Sequence, residues 1–98
     1  MSESNPAVRN NVDARRFEIE SDGELAVSNY IMRGNTIYFT HTEVPPVLEG
    51  KGIGNTLARA SLDYALANHL RVVPRCPFIA AFIKRHKEYQ DLVDADND

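Results

Sequence analysis

The chain has 98 residues, is 43% hydrophobic and 26% charged, and carries a net charge of −3; it is long enough for one globular domain and too short for two. The acidic balance excludes nucleic acid as the main partner, because holding a phosphate backbone needs a clear positive excess. No apolar run approaches the roughly 20 residues of a membrane span, no signal-peptide core opens the chain, and one cysteine cannot pair internally, so a cytoplasmic protein without a membrane partner is expected.

Residues 1–11 are polar with little periodicity and read as a flexible lead-in to a single domain over 12–93. Residues 16–20 alternate, with Phe17 and Ile19 on one face, and predict a short strand. After a turn at Asp22-Gly23, residues 25–33 predict a second strand whose inward set is either Leu25, Val27 and Asn29 or a shifted phase through Tyr30 and Met32. Gly34-Asn35 marks another turn, and the β-branched and aromatic residues of 36–44 a third strand. Pro45 and Pro46 have no N–H for a ladder, so the strands are expected to part there. A helix follows over 55–70, with Ile53, Leu57, Ala60 and Tyr64 on its apolar stripe, and Arg59 and Asp63 spaced to pair on its wet side. A fourth strand at 71–73, a helix from Pro77 to about Lys87 and an acidic tail at 94–98 complete the series. The expected fold class is α+β, in the order βββ-α-β-α.

Two helix starts carry candidate chemistry. The loop Gly50-Lys51-Gly52-Ile53-Gly54-Asn55-Thr56 leads into the first helix. Unpaired N–H groups and partial positive charge at a helix N-terminus attract phosphate, and glycines let the backbone approach it. Lys51 adds a charge, and Asn55 and Thr56 add donors. The same spacing also suits an ordinary turn before a structural helix. It is neither a Walker A loop nor a good dinucleotide fingerprint. Cys76 stands in Arg75-Cys76-Pro77, where proline at the first helical position makes the thiol an N-cap. The helix dipole and Arg75 both favour its thiolate, although a buried, inert cysteine fits equally.

From Arg71 to Lys87 there are five basic residues and no acid, enough to meet a small anion. If the third strand parts from its neighbour, its free backbone groups can dock an extended, amide-bearing ligand. His41 on that strand is a candidate for orienting a substrate or acting as a base. His69 suits a helix C-terminus for dipole reasons alone, and His86 belongs to a basic, solvated face. Three scattered histidines and one cysteine give no metal-ligand spacing.

Val44-Pro45-Pro46, the glycine loop, Val73-Pro74-Arg75-Cys76-Pro77-Phe78 and Glu88-Tyr89 together resemble the minimal branch of the GNAT superfamily of N-acetyltransferases. The resemblance covers about residues 17–93. In the superfamily's Gln/Arg-x-x-Gly-x-Gly/Ala loop, Gly52 and Gly54 match, whereas Glu49 stands at the Gln/Arg position. It implies an α+β fold with splayed strands, with acetyl-CoA as co-substrate and no metal. The cofactor's pantetheine arm would lie along the strand ending at Val44, and its pyrophosphate on Gly50, Lys51, Gly52, Ile53, Gly54, Asn55 and Thr56. One of Arg75, Lys84 and Arg85 would add a phosphate contact, Arg75 being the candidate carried forward, and Cys76 would be the catalytic candidate, accepting the acetyl group or protonating or orienting the leaving thiol. The branch lacks the N-terminal helices that shape an acceptor groove, which suits a protein or peptide amine or another bulky acceptor. The expected activity is N-acetyl transfer by a monomer or weak dimer. A non-catalytic acyl-CoA-binding or sensing module is the alternative, favoured by Glu49 and by the lack of a firm general base.

Overall fold

The structure, a computed structural model, describes residues 8–93, so the acidic tail lies outside the described residues, as do the first seven residues of the lead-in. Five strands form one sheet in sequence order: β1 (Arg9–Asn11), β2 (Arg16–Ser21), β3 (Glu24–Arg33), β4 (Thr36–Glu43) and β5 (Arg71–Pro74). The first four run antiparallel, and β5 joins β4 in parallel. Helix α1 (Ile53–Ala67) connects β4 to β5, and α2 (Pro77–Arg85) follows. The fold class is α+β, as expected. Arg9–Asn11, read as part of a flexible lead-in, is a strand paired with β2 through Arg9↔Glu18 and Asn11↔Arg16. Its residues carry no hydrophobic alternation. Its side chains serve Glu18 instead: Arg9 forms an ion pair with that carboxylate and Asn11 donates to it at 2.9 Å.

The turns follow their residues. Asp22 and Gly23 take φ of +54° and +77° between the paired Ser21 and Glu24, as a two-residue I′ hairpin demands. Neither expected phase of β3 holds in full: Ala26, Ser28 and Tyr30 are buried, while Leu25 is 40% and Met32 39% exposed. Leu25 is the more hydrophobic choice, but the face under α1 takes the small residues. Tyr30 then meets Phe17, which meets Tyr64 of α1 at 5.5 Å between ring centroids.

Helix α1 buries Ile53, Leu57, Ala58, Ser61, Leu62 and Ala65. It stops at Ala67 rather than Leu70, because His69 adopts a left-handed φ of +58°. The N–H groups of His69 and Leu70 then return to the carbonyls of Leu66 and Ala65, the two bonds of a Schellman cap. The expected Arg59–Asp63 pair does not form. Arg59 bridges to Glu88 at 3.3 Å, and both Arg59 and Asp63 bond the hydroxyl of Tyr89. That tyrosine is 1% exposed and fastens a 3-10 segment, Lys87–Leu92, across α1. Burial and the Asp63 carboxylate push its hydroxyl up to about 12. His86 is not a solvated surface group: its ring stacks on Phe82 and its Nδ1 lies 2.8 Å from the Phe82 carbonyl oxygen.

Strand β5 pairs with β4 only from Thr36↔Arg71 to Phe39↔Pro74. Pro74 has no N–H to continue the ladder. The Cys76 N–H makes a last bond to the Phe39 carbonyl at 2.9 Å, and the chain turns away into α2. Residues 40–43 of β4 therefore have no β5 partner on that side. The parting is set by Pro74. Pro45 and Pro46 act later, ending β4 and opening a single 3-10 turn, Pro46–Leu48.

Candidate functional site

One irregularity decides what the free edge of β4 presents. Tyr30 pairs with Phe39 and Asn29 with His41, so Thr40 is an extra residue in β4, a β-bulge. Strand side chains alternate, and one extra residue reverses the phase beyond it. Phe39 faces the helices, and after the bulge so does Thr42, opposite the fully buried Ser28. His41 and Glu43 turn to the other face, where their side chains are 64% and 71% exposed and 3.7 Å apart.

Thr42 faces the thiol. Its Oγ1 lies 3.2 Å from Cys76 Sγ, with either atom able to donate. Cys76 is the N-cap of α2, in extended backbone with proline after it, and is 4% exposed. From Thr42 an open cleft of about 640 Å³ runs past Val44 to the glycine loop. Leu48 and Ile53 are buried at either end of that loop, while residues 49–52 stand exposed between them.

The three glycines have different duties. Gly50 and Gly52 take φ of +85° and +76°, a region that favours glycine, and a Cβ on either would project into open space. Gly54 is helical, but a Cβ there would sit 2.8 Å from Cζ of Phe78. Phe78 is in the first turn of α2, so Gly54 allows the two helix starts to touch. The backbone bonds at the start of α1 begin with Thr56 N–H to the Gly52 carbonyl at 3.0 Å. As in any helix, the N–H groups before it lack intrahelical acceptors. Those of Ile53, Gly54 and Asn55 are thus available to an anion, and α1 is long enough to add its dipole.

The expected site residues therefore divide. Val44, Gly50, Gly52, Ile53, Gly54 and Asn55 line one cleft, with Cys76 reached through Thr42. Lys51 lies on the same loop, but its Nζ pairs with Asp22 at 2.9 Å. Both partners are at least half exposed, and such a pair is weak enough to exchange for another anion. Thr56 turns its hydroxyl back to the Gly52 carbonyl at 3.0 Å. His41 lies on the opposite sheet face from Cys76. So does the head group of Arg75, which sits 5.5 Å over the outward-facing Tyr38 ring rather than beside the glycine loop. Thr42 and Phe78 were missed as lining residues. The need for Phe78 is encoded in Gly54 but unreadable without the packing, and a bulge leaves no mark in a strand pattern.

Residues 16–92 match the family described as GCN5-related N-acetyl-transferase, and the chain belongs to that family. Among similar proteins is Protein NATD1 of Bos taurus, 36% identical over 75 residues, which cover 74% of this chain and 66% of that protein. The NATD1 of Danio rerio is 32% identical over 84 residues, covering 81% of this chain and 76% of the relative. The solution NMR structure of a GCN5-like protein from Staphylococcus aureus shares the fold with a TM-score of 0.72 and 28% identity, over 94% of this chain and 91% of that one.

Among the described residues no helix is long and apolar enough to cross a membrane.

Proposed function

We propose that this protein moves the acetyl group of acetyl-CoA to an amine on a protein, peptide or other bulky acceptor. The observation that carries the proposal is the convergence of two helix N-termini on one cleft, one offering free backbone amides and the other lining it with Phe78 and holding a buried thiol behind Thr42. The pyrophosphate would rest on the amides of residues 52–55, with no Cβ on Gly50 or Gly52 to obstruct it. The amide-bearing arm would run along residues 40–44, whose backbone groups on that side lack a strand partner. This delivers the thioester to Thr42 and Cys76, where backbone N–H groups near Val44 would hold the carbonyl oxygen as charge develops on it.

Two routes share this geometry. In the direct one, the amine nitrogen attacks the thioester carbon, the C–S bond breaks, and the proton lost from nitrogen passes to the departing sulfur, with Cys76 placed to orient or protonate it. In the relayed one, the Cys76 sulfur first takes the acetyl group and releases coenzyme A, and the amine then attacks the new thioester and restores the thiol. Exposure to acetyl-CoA followed by intact-mass analysis separates them: the relayed route predicts one added acetyl group on Cys76 that an amine removes. Either route predicts that Cys76→Ala lowers transfer at least about 100-fold with coenzyme A affinity unchanged within about twofold. Binding of coenzyme A with no transfer to any amine by the unaltered protein would favour a non-catalytic acyl-CoA sensor, a reading that the near-complete burial of Cys76 supports.

A further inference from the structure

The sheet face away from the helices holds a second cavity, of about 470 Å³, lined by Ile31, Arg33, Tyr38, Thr40 and Arg75. It lies where β4 and β5 separate. Thr40 is the bulged residue of β4, and Arg75 is the first residue after β5. Thr40 and Thr42 are two positions apart on the same unpaired edge, about 7 Å along a strand. One faces this cavity and the other the thioester end of the first cleft. A molecule seated in the second cavity thus has a short path around the edge of β4 to the reacting carbon.

The lining fixes what such a molecule carries. Two arginines line it, with no acid among the five lining residues. Neither Arg33 nor Arg75 has a carboxylate partner among the described residues, whereas Arg9, Arg16 and Arg59 each have one. The Arg75 guanidinium is held over the Tyr38 ring, so its planar donors are oriented before any ligand arrives. Ile31 and the Tyr38 ring supply an apolar wall that strengthens a charge-assisted bond. The whole chain is acidic, so this cavity differs in sign from the chain's net charge.

Building on acetyl transfer as the activity, we infer that this cavity is the acceptor site and selects amines that bear a carboxylate close to the amino group. The carboxylate pairs with Arg33 and Arg75, and the amine is carried to the Thr40–Thr42 edge.

The test titrates protein saturated with coenzyme A, watched by backbone and arginine side-chain NMR. Two peptides with a free N-terminal amine are compared, differing only in Glu against Gln at their second position. The Glu peptide is expected to move the signals of Arg33, Tyr38, Thr40 and Arg75 and to bind at least about tenfold more tightly. Screening makes that advantage shrink as salt is raised. Arg33→Gln combined with Arg75→Gln removes the preference, and the corresponding Lys substitutions retain part of it. If the double variant does not fold, each single Gln variant reports the same loss in part. Equal affinities, a preference that survives the Gln substitutions, shifts confined to other residues or no binding of either peptide would overturn the inference. Coenzyme A signals at residues 50–56 are read in the same spectra. Their absence sinks the transfer reading, whereas their presence with indifferent peptides sinks the acceptor site alone.

Discussion

The two helix N-termini that meet at the cleft are built in opposite ways. Neither has a side-chain cap. That of α1 follows a left-handed glycine and an exposed loop, so its amides face solvent. That of α2 opens on a proline after an extended cysteine, whose side chain is buried against Thr42. On the proposed reading, the first end would receive an anion that arrives and leaves, and the second would hold the thiol in one place. A loop for a highly charged ligand can be open, because phosphate supplies its own attraction; a thiol that had to meet one carbon would need position more than access.

Substitutions can break this contrast one side at a time. After the loss expected from Cys76→Ala, the next largest effect is that of Thr42→Val, which removes the hydroxyl at Cys76 and leaves the cleft's volume nearly unchanged. Acetyl transfer should fall roughly 10- to 100-fold in a steady-state assay at unchanged coenzyme A affinity, with Thr42→Ser restoring most of it. Gly54→Ala acts on both ends, since the new methyl meets the Phe78 ring. It should cost about 1–3 kcal/mol of stability in urea unfolding and weaken coenzyme A as well. Gly52→Ala touches the open end alone: an L-residue at that φ costs about 1–2 kcal/mol, and coenzyme A affinity should drop about tenfold with Cys76 chemistry intact.

Much of this arrangement was legible in the residues. Glycine and proline placed both helix starts, because their backbone effects are local and need no partner to be recognised. The hairpin turns at Asp22-Gly23 and Gly34-Asn35 were readable for the same reason. Features that depend on a neighbour were not. The phase of β3 turned on which face α1 covers, and the strand at Arg9–Asn11 exists to serve Glu18. The direction of every side chain after Phe39 turned on a bulge at Thr40. His41 and Arg75, expected at the site, fall on the other face of the sheet, the first because of that bulge and the second because β5 ends at Pro74.

The smallest expected effect lies away from both helix starts and serves as a reference for them. Arg9, Arg16 and Asn11 hydrogen-bond the Glu18 carboxylate and hold it well below the usual range, to about 2. The group is 2% exposed, yet burial opposes the shift less than the three hydrogen bonds favour it. Because the folded value is depressed, its contribution is complete above the ordinary carboxylate range and lost as pH falls towards 2. With Arg9 largely exposed, the loss is about 1–2 kcal/mol after allowing for screening. Unfolding measured between pH 6 and pH 2.5 should show it, and Glu18→Gln should flatten that slope without altering coenzyme A binding.

Whether the two helix starts form one site is read by titrating coenzyme A into labelled protein and following every backbone amide. A single site shifts residues 50–56 together with residues 42–44 and 76–78, all saturating with one dissociation constant. Shifts confined to one of the two helix starts, or clustered on the far face of the sheet, would contradict it.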